Sequence, residues 1–165
     1  MRDKRGFSLV ELLTVVALVG VASAIAVPNI LSQLPKWHAN GTTRDIAAKL
    51  MMSRLRAIQD NQEYGVLFTL GTVDSFRLVK MDRYDDNSNG NTTEWIDAGA
   101  SGQSYADINI TNNCSINRVH FNPNGTSSSC SIEIRTQDGA IRRQISLSSN
   151  TGRISVKFCE KEACI

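Results

Sequence analysis

The 165-residue chain has little of what chemistry at a site requires. Its two histidines, His38 and His120, stand at no motif spacing from a nucleophile or from other metal-binding side chains. The 11 glycines are scattered through turn-like stretches, and none forms a phosphate-cradling loop. The four cysteines, Cys114, Cys130, Cys159 and Cys164, lack the paired C-x-x-C spacing of a zinc site. The chain therefore reads as a non-enzyme, with no catalytic residues, no metal site of that kind and no cofactor. An excess of one charge is missing as well. Three of the 18 Lys and Arg (Arg2, Lys4, Arg5) and one of the 16 Asp and Glu (Asp3) lie in the first six positions, so the remainder carries 15 of each. A protein held to nucleic acid by bulk charge keeps a large positive excess, and this one does not.

What the chain does have is one long apolar run. From Phe7 to Val27 there are 21 residues with a single charge, Glu11. At ~1.5 Å per residue this is a helix of roughly 32 Å, the thickness of a bilayer's hydrocarbon core. The basic tract before it favours the cytoplasmic side, which puts the carboxyl end outside. A cleaved secretory signal is the plainer reading, and Ala22-Ser23-Ala24 and Ala24-Ile25-Ala26 offer small-residue sites for it. Against that reading, the run is longer than a signal core and carries an acid. A charge at mid-bilayer costs about 2.5–3.5 kcal/mol, so Glu11 calls for a cationic partner.

Gly6-Phe7-Ser8-Leu9-Val10-Glu11-Leu12-Leu13 resembles the cleavage and methylation motif of type IV prepilins and type II secretion pseudopilins. The resemblance implies that a prepilin peptidase cuts between Gly6 and Phe7 on the cytoplasmic side and methylates the new amino terminus at Phe7. It implies that Glu11 pairs with the terminus of a neighbouring subunit, and that Pro28 is a helix-bending proline. Ser53-Arg54, Ala57-Ile58 and Asn61 resemble the helix-end pattern of the pseudopilin H and FimT-type family. Phe121-Asn122-Pro123-Asn124-Gly125 is similar to its F-x-P-x-G turn, and Thr151-Gly152-Arg153-Ile154 to its closing Gly-Arg strand. The fold this implies is α+β and pilin-like: a long amino-terminal transmembrane and amphipathic helix packed on an antiparallel β-rich carboxyl-terminal head. The implied function is that of a minor pilin that helps initiate, cap or prime a type IV pilus, with the minor pseudopilin of type II secretion as the alternative. Its partners are other pilins, the prepilin peptidase and an inner-membrane assembly platform. The implied location is the bacterial inner membrane, with a cytoplasmic leader and a periplasmic head, and then the pilus or pseudopilus.

The chain accordingly divides into a leader, 1–6, a hydrophobic helix, 7–40, and a head, 41–165, whose amphipathic helix covers 43–62. Asn40-Gly41 reads as an interruption, with Thr42 and Asp45 restarting the helix as a capping box. Ala47, Leu50, Met51, Leu55 and Ile58 recur at spacings of three and four and predict the stripe that packs on a sheet. Short strands are predicted at 64–70, 75–81, 106–110, 116–121, 131–135, 141–147 and 153–158, and 82–104 reads as a long polar loop.

In an oxidising compartment the cysteines favour disulfides, for which three pairings exist. Cys114–Cys130 and Cys159–Cys164 are favoured because each pair is close in sequence and the first brackets a hairpin. Asp85, Asn87 and Asn89, followed by Gly90, imitate the start of a calcium loop, but the twelfth position is Ile96 where a bidentate Glu belongs. From Arg118 onward there are seven Lys and Arg against four Asp and Glu. Arg142, Arg143, Arg153 and Lys157 are candidates for one cationic surface. Some FimT-type pilins bind DNA through a Gly-Arg-x-Arg motif, but Gly152-Arg153-Ile154-Ser155 lacks the second arginine, and phosphate contacts depend on several cations together.

Overall fold

The structure, a computed structural model, describes residues 8–82, 94–160 and 163–164. It divides into two compact units, Met1–Leu34 and Pro35–Ile165. One helix, α1 (Leu9–Gln59), contributes to both.

In the first unit the Ser8 carbonyl accepts the first helical hydrogen bond from the Leu12 N–H at 3.1 Å. Ser8 is thus the N-cap residue and Glu11 the third residue of the helix. Ser-x-x-Glu is a capping-box pattern, and a carboxylate in the first turn also suits the positive end of the helix dipole. The large apolar side chains from Leu9 to Leu31 are exposed, as expected of a segment that lies in lipid or against other helices. By length and composition this segment can cross a membrane.

In the second unit α1 does not break at Asn40–Gly41, contrary to the expectation from sequence. The Thr43 hydroxyl donates to the Ala39 carbonyl at 2.6 Å within the helix. A glycine in a helix costs about 1 kcal/mol, and burial of Ala39, Thr42, Thr43 and Ile46 on the head outweighs it.

The strands that follow form two antiparallel sheets. Strands β1 (Tyr64–Thr69), β2 (Ser75–Asp82), β3 (Glu94–Gln103) and β5 (Arg118–Phe121) form one sheet, in the order β3-β2-β1-β5. Strands β4 (Ile108–Asn112), β6 (Cys130–Thr136), β7 (Ile141–Leu147), β8 (Ile154–Glu160) and β9 (Ala163–Cys164) form the second, in the order β4-β6-β7-β8-β9. Ile46 and Leu50 of α1, Val66, Phe76 and Phe121 of the first sheet, and Ile110, Ile132, Ile134 and Ile145 of the second share one core. The long helix on antiparallel sheets is the α+β arrangement the resemblance implied.

Two expectations about this packing need correction. The segment 82–104 is not one loop, since its second half is β3, paired with β2. Its alternation is hidden by small residues, and these are a packing requirement. A Cβ on Gly102 would stand 2.6 Å from Asp45 Oδ2 and 2.6 Å from the Phe76 ring. Second, the buried stripe of α1 is rotated from the predicted one. Ala47 and Leu50 of the predicted stripe are buried, but the buried face continues through Ala39, Thr43, Ile46, Ser53 and Ala57, whereas Met51, Leu55 and Ile58 keep half or more of their surface exposed. Ser53 and Ala57 are small enough to bring the helix end close to the sheets, and bulky aliphatic chains there would hold it off.

Asp74 fastens one sheet to the other. Its buried carboxylate accepts from Gly71 N at 2.9 Å, in the β1–β2 turn, and from Ile110 N at 2.6 Å, in β4. A buried carboxylate is tolerable when hydrogen bonds replace its lost water.

Candidate assembly surfaces

The three head motifs, far apart in sequence, meet at the carboxyl-terminal end of α1. Ser53 and Ala57 face inward and are fully buried, so Arg54 and Ile58 fall one position round the helix, at the rim of the sheets. The Phe121–Gly125 turn is closed by Gly125 N–H to the Asn122 carbonyl and by Asn122 N–H to the Thr126 carbonyl, both 2.9 Å. Gly125 has φ +80° and Gly152 has φ +58°, a region that suits glycine. A Cβ on Gly152 would stand 2.1 Å from the Gly125 carbonyl oxygen, so the two turns touch backbone to backbone. Arg54 lies beside both glycines and donates from Nη2 to the Thr151 carbonyl at 3.0 Å. Beside this junction an open groove of about 420 Å³ is lined by Met51, Arg54, Leu55, Ile58, Arg153 and Ile154.

Cys114 and Cys130 form a disulfide with Cα atoms 5.0 Å apart. It does not bracket a hairpin. Between the two cysteines the chain leaves β4, crosses to the first sheet as β5 and returns to β6, so the bond closes an excursion between sheets. Cys159 is disulfide-bonded as well, and the β8–β9 register places Cys164 opposite it.

The four candidate DNA-binding cations do not gather into one exposed surface. Arg143 is buried, donating to Asn40 Oδ1 at 3.1 Å and to the Arg142 carbonyl at 2.9 Å, with its guanidinium over the Phe158 ring. Arg142 is its neighbour on a strand and therefore points to the opposite face, where it pairs with Glu133 together with Arg135. Burial pushes the Glu133 carboxyl up, but the hydrogen bond and charge of Arg135, and then Arg142, hold it below the usual carboxylate value. Arg153 and Lys157 are exposed. The calcium candidates Asp85, Asn87 and Asn89 lie outside the described residues.

Both histidines are structural partners. His38 Nδ1 lies 2.9 Å from Asp107 Oδ1, and its ring stacks on Tyr105 with centroids 3.8 Å apart. Asp107 is 69 residues away, a pairing invisible to local sequence reading. His120 packs beside Trp95, over which the Arg118 guanidinium sits 4.4 Å from the ring centroid. Burial lowers the Arg118 pKa, partly offset by Glu63.

A lipid-compatible helix that opens on a lone acid, followed by a two-sheet head packed against the continuation of that helix, defines a protein of the pilin class. Residues 1–27 match the prokaryotic N-terminal methylation motif. Residues 42–151 match the family described as type II transport protein GspH, and the chain belongs to that family. Its members are structural pilins and pseudopilins, not enzymes. The fold is similar to the minor pseudopilin EpsH of the type 2 secretion system of Vibrio cholerae, with a TM-score of 0.56, 11% identity, and coverage of 76% of this chain and 99% of that one. It is also similar to the type IV minor pilin FimU of Pseudomonas aeruginosa, with a TM-score of 0.52, 14% identity, and coverage of 79% and 96%. No curated protein matches the sequence.

Proposed function

We propose that this protein is a minor subunit that helps initiate, cap or prime a type IV pilus after removal of residues 1–6. The observation that carries the reading is Glu11, an acid in the first turn of α1 and the single charge in the apolar run from Phe7 to Val27, five residues beyond Gly6. Prepilin peptidase cuts between Gly6 and Phe7 and methylates Phe7, and the inner membrane holds the subunit with its head in the periplasm. An assembly platform then extracts it, and its helix exchanges lipid for the helices of other pilins. Glu11 meets the amino terminus of a neighbour there, which neutralises the acid and sets the register. Pro28 provides the bend that fits the helix to the bundle.

A second reading, the minor pseudopilin of a type II secretion system, is favoured by the family description over residues 42–151. Deleting the gene in its host separates the two. The pilus reading expects loss of surface fibres with secretion of folded exoproteins intact. The opposite pattern replaces it with the secretion reading.

A further inference from the structure

The exposed aromatic rings of the head are not spread over its surface. Among the described residues the exposed Phe, Trp and Tyr are Trp37, Tyr105 and Phe158, at 57%, 49% and 56%. Single exposed apolar residues are ordinary, but a set gathered in one place marks a contact surface. All three stand around one turn of α1, where the helix enters the head. Trp37 precedes His38, on whose ring Tyr105 stacks with centroids 3.8 Å apart. A Cβ on Gly41 would lie 3.9 Å from the same Tyr105 ring. Phe158 lies under the Arg143 guanidinium, which donates to Asn40 Oδ1. The exposed Val73 adjoins them, because Ser104 N–H donates to the Asp74 carbonyl at 2.8 Å, one residue from Val73 and one from Tyr105.

Two observations narrow what covers this end. The first is how the rings are placed round the helix. Ala39 is fully buried against the head, and successive helical residues are turned by about 100°. His38, under Tyr105, and Asn40, beside Phe158, therefore flank Ala39 on opposite sides, and Trp37 points away from it. The rings encircle α1. A second helix lying alongside would cover one side only, whereas a plane that α1 crosses meets all of them. The second observation is the spacing of charge. The 24 residues from Leu12 to Pro35 carry none, and as a helix they extend ~36 Å. A bilayer is ~30 Å thick in its hydrocarbon and ~40–45 Å with its headgroups. Lys36 and Trp37 therefore fall where hydrocarbon gives way to headgroups, the layer in which Trp and Tyr rings collect and lysine side chains reach for water.

We propose that this end of the head is a lipid-binding face, with Trp37, Val73, Tyr105 and Phe158 seated in the headgroup layer of the bilayer that the apolar run crosses. The proposal rests on the membrane-crossing reading of that run. It adds a contact made by the folded head, from which the subunit must lift before it leaves the membrane.

The test uses the full-length, unsubstituted protein in vesicles of phosphatidylethanolamine and phosphatidylglycerol. The vesicles carry a lipid with a photoreactive diazirine near the glycerol end of one acyl chain. Irradiation and peptide mass spectrometry should place lipid adducts on Trp37, Val73, Tyr105 and Phe158 and none on Met51, Leu55 or Ile58, which are as exposed but lie at the other end of the head helix. Val73→Asp with Phe158→Asp, at two exposed positions, should lower the labelling of Tyr105 severalfold and leave that of Trp37 unchanged. A map that lacks Tyr105 or Phe158, equal labelling of Met51–Ile58, or unchanged labelling of Tyr105 in the variant overturns the lipid-binding face alone. Protein that carries no adduct and does not float with the vesicles overturns the membrane-crossing reading and this proposal with it.

Discussion

The contact between Gly125 and Gly152 can be tested by adding one methyl group. Gly152→Ala has two separable effects. An alanine held at φ +58° costs roughly 1–2 kcal/mol from its conformation alone. Its Cβ would also stand 2.1 Å from a backbone carbonyl oxygen, far inside contact distance, so the two turns must part by about 1 Å. That movement stretches the Arg54 hydrogen bond to the Thr151 carbonyl, a charge-assisted bond worth about 1.5–3 kcal/mol. The sum is about 2.5–5 kcal/mol against a typical domain stability of 5–15 kcal/mol. Gly139→Ala is the control. Gly139 has φ +70° with nothing within 4 Å of an added Cβ, so only the conformational cost applies. Thermal melting of the purified protein in detergent, disulfides intact, should give a fall in Tm for Gly152→Ala at least twice that for Gly139→Ala. Equal falls would refute the argument that the two family motifs are held together by backbone contact.

Other outcomes follow from the same geometry. Leu50→Ala should cost about 2–5 kcal/mol in urea unfolding and Leu55→Ala less than about 0.5, because only Leu50 is in the core; equal costs would restore the stripe predicted from sequence. Glu11→Ala removes the side chain and its charge, whereas Glu11→Gln keeps its size and hydrogen-bonding capacity and removes only the charge. Both variants should enter the membrane and fail to enter filaments, and normal incorporation of Glu11→Gln would contradict the role given to its charge. Because Arg135 and Arg142 hold the folded-state pKa of Glu133 down, its contribution to stability is present above the ordinary carboxylate value and lost as pH falls through the lowered one. Urea midpoints should therefore show Glu133→Gln less stable than wild type at neutral pH, with the gap closing under acid. A gap that persists at low pH would assign the effect to packing.

The sequence made the fold class legible through two strong signals, the apolar run after Gly6 and the alternation of strands such as Ile132-Glu133-Ile134. The run is read without tertiary information because its large apolar side chains are exposed and need no partner elsewhere in the described chain. The face of α1 was legible only in part. Two apolar stripes overlap on the helix after Ile46, and periodicity cannot tell which one meets the sheets; the answer lies in the small residues Ser53 and Ala57. Strand β3 was hidden because Gly99, at φ +93° where the pairing with β2 shifts register, and Gly102, which gives room to Asp45 of α1 and to Phe76, interrupt its alternating pattern. The Asp74 clamp and the His38–Asp107 pair join residues 36 and 69 positions apart, and no local window contains them. The pairing of Cys114 with Cys130 was legible, but the path between them was not, since only topology sends β5 to the other sheet. At the candidate site the motifs around Arg54, Gly125 and Gly152 could be read singly. Their meeting, and the groove beside them, needed the structure.

The account turns on a filament subunit whose mature chain opens with the residue after Gly6. Mass spectrometry of the amino-terminal peptide of the protein purified from its own host tests this most directly. The prediction is a chain that begins at Phe7, carries one added methyl on its terminal nitrogen, and keeps the leader residues up to Gly6 ahead of Phe7 when the prepilin peptidase is deleted. A mature chain that starts at Met1 with the peptidase present, or beyond Ala24 or Ala26, would contradict the account.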